Sequence, residues 1–176
     1  MTVAYQGVEG AFSHEACTRF LPDHQPAAFP TFADVIAAVQ SGAADFGMLP
    51  LANNEAGETG ARGLIERASL RIIDERVLPV RMHLLALPDT VVDQVHTVVS
   101  HPIALRQCSA ALLRLGVNTE EASNTALAAK ALSSPDRAVL ASESAAAIYE
   151  LAVLQRDIQN RADNATTFAI VSRTPR

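Results

Sequence analysis

Apolar strands in this chain repeatedly end on a few small polar residues that open a turn or a helix. Along the sequence these corners are Gly7-Val8-Glu9-Gly10-Ala11-Phe12-Ser13, Pro50-Leu51-Ala52-Asn53-Asn54, Ser100-His101-Pro102, Asn124-Thr125-Ala126 and Asn164-Ala165-Thr166-Thr167-Phe168. Strands alternating with helices in this way define an α/β fold with parallel or mixed pairing. In open α/β sheets ligands bind outside the carboxyl ends of the strands. Helix N-termini there offer free N–H groups and a partial positive charge, which suit an anion. Repeated corners of this kind in one small chain predict a cleft for a small, multiply charged acid.

Local signals place the elements. Val3-Ala4-Tyr5 is short and β-prone, and Ser13 is positioned to cap a helix over residues 14–20. Thr31 followed by Asp34 marks another helix start, related to the capping box; Val35, Ile36 and Val39 form its apolar stripe and Gly42 ends it. Residues 46–51 read as a buried strand, 53–60 as a polar turn-rich loop and 64–68 as a helix. Two extended stretches, 71–78 and 80–87, meet at Pro79, which removes a ladder donor and so fits a strand edge or a crossing between lobes. Beyond them the pattern predicts strands over 96–100, 138–141 and 167–171. It predicts helices over 102–115, 125–132 and 144–151, the first capped by Ser100 or His101 and stopped by Gly116.

With 176 residues, 49% of them apolar, the chain can build a core without staples. A net charge of −5 and the lack of a Lys/Arg run argue against a nucleic-acid partner. An acidic protein still binds anions, because local donors decide that. Cys17 and Cys108 are too few and too far apart for a disulfide framework or a zinc site. They read as inert buried thiols in a reducing compartment. No leader precedes the opening strand and no apolar run approaches a bilayer's thickness, so a soluble, cytoplasmic protein without a membrane partner is expected.

The corners together resemble the prephenate dehydratase family over nearly the whole chain. Residues 5–16 are similar to the family's opening Gly-Pro-Glu-Gly-Thr-Phe-Ser segment. Ser100-His101-Pro102-Ile103-Ala104-Leu105-Arg106-Gln107-Cys108 resembles its Ser-His-Pro-x-Ala-x-x-Gln-Cys segment almost residue for residue. Asn124-Thr125-Ala126 stands where the family has Ser-Thr-Ala, and Asn164-Ala165-Thr166-Thr167-Phe168 where it has Asn-x-Thr-Arg-Phe. The resemblance implies one catalytic domain of two lobes, similar to type II periplasmic binding proteins, with the ligand held in a cleft between them. Lobe 1 is expected at about residues 1–78 plus 160–176, and lobe 2 at about 79–159. It also implies a homodimer, no metal or organic cofactor, and a lyase reaction in which prephenate loses its ring carboxylate as CO₂ and its 4-hydroxyl as water. Two departures stand out: Pro50-Leu51-Ala52-Asn53-Asn54 lacks the usual Glu, and Thr167 replaces the usual Arg. The family's regulatory ACT domain does not follow within these residues, so phenylalanine feedback through it is not expected in this chain.

Residue roles follow from the same matches. Departure of the ring hydroxyl needs a hydrogen-bond donor or proton relay, and Thr166 matches the family's catalytic Thr; read alone it is an ordinary strand Thr. Asn53 matches the site Asn, and an amide donates and accepts without adding charge; a plain turn Asn is the alternative. Gln107 is expected to reach the ring hydroxyl or the ketone, or else to be a solvated helix residue. Ser100 is expected to cap its helix either way. Histidine is a common general base, which makes His101 a candidate, although Pro102 and the cap position favour structure. Thr125 at a helix start suits a carboxylate, or is a simple N-cap. Ser13, Asn54, Thr167 and Phe168 complete the expected substrate-binding set. Replacing Arg by Thr167 removes a charge-assisted contact to a carboxylate. The retuned site leaves arogenate open as substrate, decarboxylation without aromatisation as an alternative outcome, and a non-catalytic acid-binding module as a third reading. His14, His24, His83 and His96 show no metal-ligand spacing.

Overall fold

The chain starts a sheet, leaves it at Pro79 and returns to complete it at Ala165. A computed structural model describes residues 1–173; residues 174–176, the end of the expected first lobe, lie outside the described residues. In chain order the first stretch forms β1 (Thr2–Gln6), α1 (Phe12–Phe20), β2 (Gln25–Phe29), α2 (Phe32–Ser41), β3 (Phe46–Asn53), β4 (Gly57–Glu58), α3 (Ala61–Arg67) and β5 (Arg71–Pro79). Next come β6 (His83–Ala86), β7 (Thr97–Ser100), α4 (Pro102–Gln107), α5 (Ser109–Leu115), β8 (Asn118–Glu121), α6 (Thr125–Ala131), β9 (Arg137–Ala141), α7 (Glu143–Ile148) and β10 (Ala152–Gln155). The chain then closes with β11 (Ala165–Ser172). Two units result. Unit 1 comprises Met1–Val8, Phe12–Pro79 and the described residues from Ala165; unit 2 comprises Glu9–Ala11 and Val80–Asn164.

In unit 1 the strand order is β2-β1-β3-β11-β5, with β4 beside β3. The pairs β1–β2 and β1–β3 are parallel, whereas β11 runs antiparallel to both its neighbours. One face of this sheet packs Val35, Val39 and Ile65 of α2 and α3 against Ala4, Leu49, Ala169 and Val171. The other packs Ala16 and Cys17 of α1 against Tyr5, Met48, Phe168 and Ile170. Helix α2 begins as expected: Thr31 Oγ1 accepts from the Asp34 N–H at 3.2 Å, and Asp34 Oδ2 accepts from the Thr31 N–H at 3.1 Å. Gly42, at φ 84°, ends it.

In unit 2 the order is β10-β6-β9-β7-β8, with β7 parallel to β8 and β9, and β6 antiparallel to β9 and β10. Its core joins Leu85, Val139 and Ala141 to Ala128, Ala129 and Ala145 of α6 and α7.

Several local expectations need correction. Ser13 lies inside α1, one residue past its start, and is buried, so it is no N-cap. The stretch expected as one helix over 102–115 is two helices that break at Cys108. His101 caps α4 through Nδ1, which accepts from the Ile103 N–H at 3.2 Å. Ser100 is a strand residue whose hydroxyl donates to the Leu140 carbonyl at 2.8 Å and caps nothing. Asn124, not Thr125, caps α6, its Oδ1 accepting from the N–H groups of Ala126 and Leu127. Among the described residues, no helix is long and apolar enough to cross a membrane.

Candidate active site

The polar pair at the end of β3 and the start of β11 is set by a bulge. Thr166 faces Asn53 and Thr167 faces Ala52, but Phe168 faces Pro50, so Leu51 is an extra residue on β3. Pro50 has no N–H to give the ladder, and a bulge tolerates that loss. The shifted register brings Asn53 and Thr166 opposite each other.

Asn53 is held at every polar position it has. Its Nδ2 donates to Thr166 Oγ1 at 3.0 Å and to the Ala165 carbonyl at 3.0 Å. Its Oδ1 accepts from the N–H groups of Glu55 at 3.0 Å and Ala56 at 2.8 Å, which turns the following loop. Asn54 ties the same corner, with Oδ1 accepting from the Ala165 N–H and its own N–H reaching the Ala165 carbonyl, both at 3.0 Å. The amide orientation is thereby fixed by its partners. Thr166 is 9% exposed, and its hydroxyl accepts from Asn53, so its own O–H is directed away from that amide. A donor bonded to a hydroxyl oxygen polarises the O–H and strengthens its onward donation.

Residues alternate in direction along β11. Thr166 shares the α1 face with Phe168 and Ile170, whereas Thr167 shares the opposite face with Ala169 and Val171. Thr166 and Thr167 therefore do not line one surface of the sheet. Phe168, expected against substrate, is 1% exposed and packed with Tyr5 and Met48.

Of the other expected residues, Ser13 is buried in α1 of unit 1, and Ser100, His101, Gln107 and Thr125 lie in unit 2. Ser100 is fully buried on β7, and its bond to Leu140 means that it does not donate to His101 as a nucleophile would to a base. His101 accepts at Nδ1, which leaves Nε2 as the proton-bearing nitrogen of the neutral ring. Gln107 ends α4 and is buried, not solvated. Thr125 is half-buried at the first position of α6.

Asn160 was not singled out in the sequence, yet it organises the break beside Gln107. Its Oδ1 accepts from the Ala110 N–H at 3.1 Å. Its Nδ2 donates to the Arg106 carbonyl at 3.0 Å and to Ser109 Oγ at 3.1 Å. Its main-chain N–H donates to the Gln107 carbonyl at 2.6 Å. In an unbroken helix the Ala110 N–H would bond the Arg106 carbonyl; the Asn160 amide is inserted between these two groups. No local signal near Gln107 announces a partner so far along the chain.

The first glycine corner also differs from its expected use. Gly10 has φ +81°, and a Cβ there would sit 2.9 Å from the Ala145 Cα. Its carbonyl accepts from Ser142 Oγ at 2.8 Å, and the Glu9 carbonyl accepts from the Tyr149 hydroxyl at 2.7 Å. Burial, and then the nearby Glu9 charge, raise the Tyr149 pKa. This corner docks on α7. Among the described residues, no group of three or more His, Cys, Asp or Glu converges to hold a metal ion.

Two mixed sheets packed with helices make a two-unit α/β fold of the periplasmic-binding-protein type. A periplasmic substrate-binding protein from Coxiella burnetii shares that fold at a TM-score of 0.51 and 12% identity, over 98% of this chain and 85% of that one. More specifically, the chain belongs to the prephenate dehydratase family, whose profile matches residues 3–176. It is 37% identical to arogenate dehydratase/prephenate dehydratase 2, chloroplastic, of Arabidopsis thaliana, over 98% of this chain and 46% of that protein. The chain thus spans under half the length of that curated relative. A prephenate dehydratase from Arthrobacter aurescens, solved in complex with L-Phe, superposes with a TM-score of 0.91 at 27% identity, over 100% of this chain and 61% of that one. GqqA, described as a novel type of quorum quenching acylase, superposes with a TM-score of 0.92 at 31% identity, over 100% of this chain and 65% of that one.

Proposed function

We propose that this chain is a carbon–oxygen lyase that converts prephenate to phenylpyruvate, with loss of CO₂ and water. The observation that carries this reading is the 3.0 Å bond from Asn53 Nδ2 to Thr166 Oγ1, which sets the Thr166 O–H as an oriented donor. The ring hydroxyl of prephenate is a poor leaving group and gains most from a donor that strengthens as charge develops on the departing oxygen. Thr166 donates to that oxygen while its C–O bond breaks. The electrons come from the bond to the ring carboxylate, which leaves as CO₂ as the ring becomes aromatic. The departing hydroxide takes up one proton, finally from solvent, and leaves as water. Thr166 acts as a hydrogen-bond donor within this relay, because an alcohol is too weak an acid to give up its proton outright.

In this reading Asn53 positions Thr166, because its own amide is already occupied within the protein. Gln107 supplies an amide to the ring hydroxyl or ketone. His101 Nε2–H and the Thr125 hydroxyl are donors for the substrate's carboxylates. Arogenate, the substrate named for several relatives, is the nearest competitor. Thr167 stands where the family carries a cation, so the two substrates should be compared directly. The proposal extends to a homodimer in a reducing cytoplasm, which the buried free thiols of Cys17 and Cys108 suit.

The test is incubation with prephenate, and separately with arogenate, measuring CO₂ and the ultraviolet spectrum after base. CO₂ with phenylpyruvate absorbance supports dehydration. CO₂ without an aromatic product would convert the reading to a decarboxylase, and saturable binding without turnover to a binding module. Thr166→Ala lowers kcat at least about tenfold while leaving the fold intact; unaltered turnover refutes the role of Thr166.

A further inference from the structure

We infer that Asn160 is the positioning residue for Gln107, acting as a wedge in the α4–α5 break. The inference rests on the proposed dehydratase reading for its kinetic consequence, but its structural content stands apart from it. The two peptide units that flank the Gln107 Cα are those of the Arg106 and Gln107 carbonyls. Asn160 binds both: Nδ2 takes the Arg106 carbonyl at 3.0 Å, and the main-chain N–H takes the Gln107 carbonyl at 2.6 Å. Fixing one peptide plane on each side of a Cα fixes φ and ψ there, and with them the direction of the Cα–Cβ bond. One residue, distant in sequence, therefore sets where the Gln107 side chain leaves the backbone.

The same side chain keeps the helix broken. Its Oδ1 holds the Ala110 N–H at 3.1 Å, and Nδ2 also reaches Ser109 Oγ at 3.1 Å, so both lips of the break are occupied. Side chains inserted into the i→i−4 ladder are a known cause of sharp helix breaks. Without the Asn160 amide, the Ala110 N–H and Arg106 carbonyl are released towards each other and the ladder recloses. Gln107 would then turn with the backbone. Displacement of a substrate-positioning group by about 1 Å costs up to about 100-fold in rate, so a partial reclosure costs less. The segment carrying Asn160 is anchored independently. Gln159 Oε1 accepts from the Met82 N–H at 3.0 Å, and the Ile158 N–H donates to the Met82 carbonyl at 2.9 Å. The wedge thus has a fixed base at Met82, the residue before β6.

The experiment is a double-mutant cycle of Asn160→Ala with Gln107→Ala. Asn160 is exposed, so its truncation leaves no cavity. Asn160→Ala is expected to lower kcat/KM about tenfold in the wild-type background and less than about twofold once Gln107 is Ala. Equal losses in both backgrounds overturn the inference and leave Asn160 with a merely structural part. In parallel, the side-chain amide NMR signals of Gln107 are compared in wild type and Asn160→Ala. They should shift and exchange faster with solvent, while those of Asn53 stay in place. Asn160→Gln, which keeps the amide but moves it one methylene outward, is expected to show the same signature to a smaller degree. Unmoved Gln107 signals refute the positioning role. If the wild-type chain turns over neither prephenate nor arogenate, the dehydratase reading falls, and the NMR comparison alone decides for or against the wedge.

Discussion

Thr166 and Asn53 show how a weak acid is made useful by its neighbour. The hydroxyl accepts from a locked amide, so its own O–H points away from that amide. Asn53→Asp separates the two halves of this arrangement. The carboxylate can still accept from Glu55 and Ala56, but it cannot donate to Thr166 Oγ1 or to the Ala165 carbonyl. Under the proposed mechanism kcat falls at least about tenfold and KM changes less, as steady-state kinetics on prephenate will show. The cysteines make a second test at this scale. Burial pushes the Cys17 thiol up to about 12 and Cys108 is equally enclosed, so both should ignore a thiol reagent in the native protein and react at the rate of unfolding. The motifs placed Asn53 and Thr166 in the site as separate residues. Their bond was not legible, because it depends on an extra residue at Leu51 in a partner strand more than a hundred positions away.

Elements whose signals are local were readable, and those set by distant partners were not. Helix α2 carries its own start, stripe and stop in Thr31, Val35, Val39 and Gly42, and the structure reproduces all of them. Strand β8 escaped notice because Asn118–Glu121 is exposed throughout and lies at a sheet edge, with no apolar alternation to read. Strand β2 escaped because Pro26 reads as a breaker, although an edge strand accepts it. The helix over 102–115 has an uninterrupted helical pattern, and the structure breaks it at Cys108, where Asn160 from far along the chain binds the Arg106 carbonyl and the Ala110 N–H. Close packing of α2 on β3 yields a further prediction. A Cβ on Gly47 would meet Val171, Val39 and Val35 at 2.9, 3.1 and 3.2 Å. Gly47→Ala should therefore lose about 1–3 kcal/mol, read as a lower midpoint in a denaturant melt.

For the molecule as a whole, one buried ring contributes to acid sensitivity near neutral pH. His83 is 3% exposed on β6, and its Nδ1 accepts from the Asp157 N–H at 3.1 Å. Desolvation lowers its pKa below 6.5; Arg156 and Arg81 act in the same direction, while Asp157 and Glu143 oppose it. The folded state thus binds fewer protons than the unfolded one over this window. Its contribution to stability is complete above pH 6.5 and is lost as pH falls towards the folded pKa. Asp136, Glu143 and Asp163 also have lowered values, but these groups are fully exposed and titrate in a more acidic range. Melting temperature should fall as pH is lowered below about 6.5, and His83→Asn, which keeps an acceptor near Asp157, should flatten that drop.

The return of the chain as β11 also bears on the order of assembly. This strand lies between β3 and β5 and contacts both along its length, so residues 1–80 without it have an unfilled slot in the middle of their sheet. Unit 2, apart from the short Glu9–Ala11 piece, is one continuous stretch that leaves the ribosome before that slot can be closed. Residues 80–164 therefore supply a part able to settle first, while residues 1–79 wait for the strand that begins at Ala165.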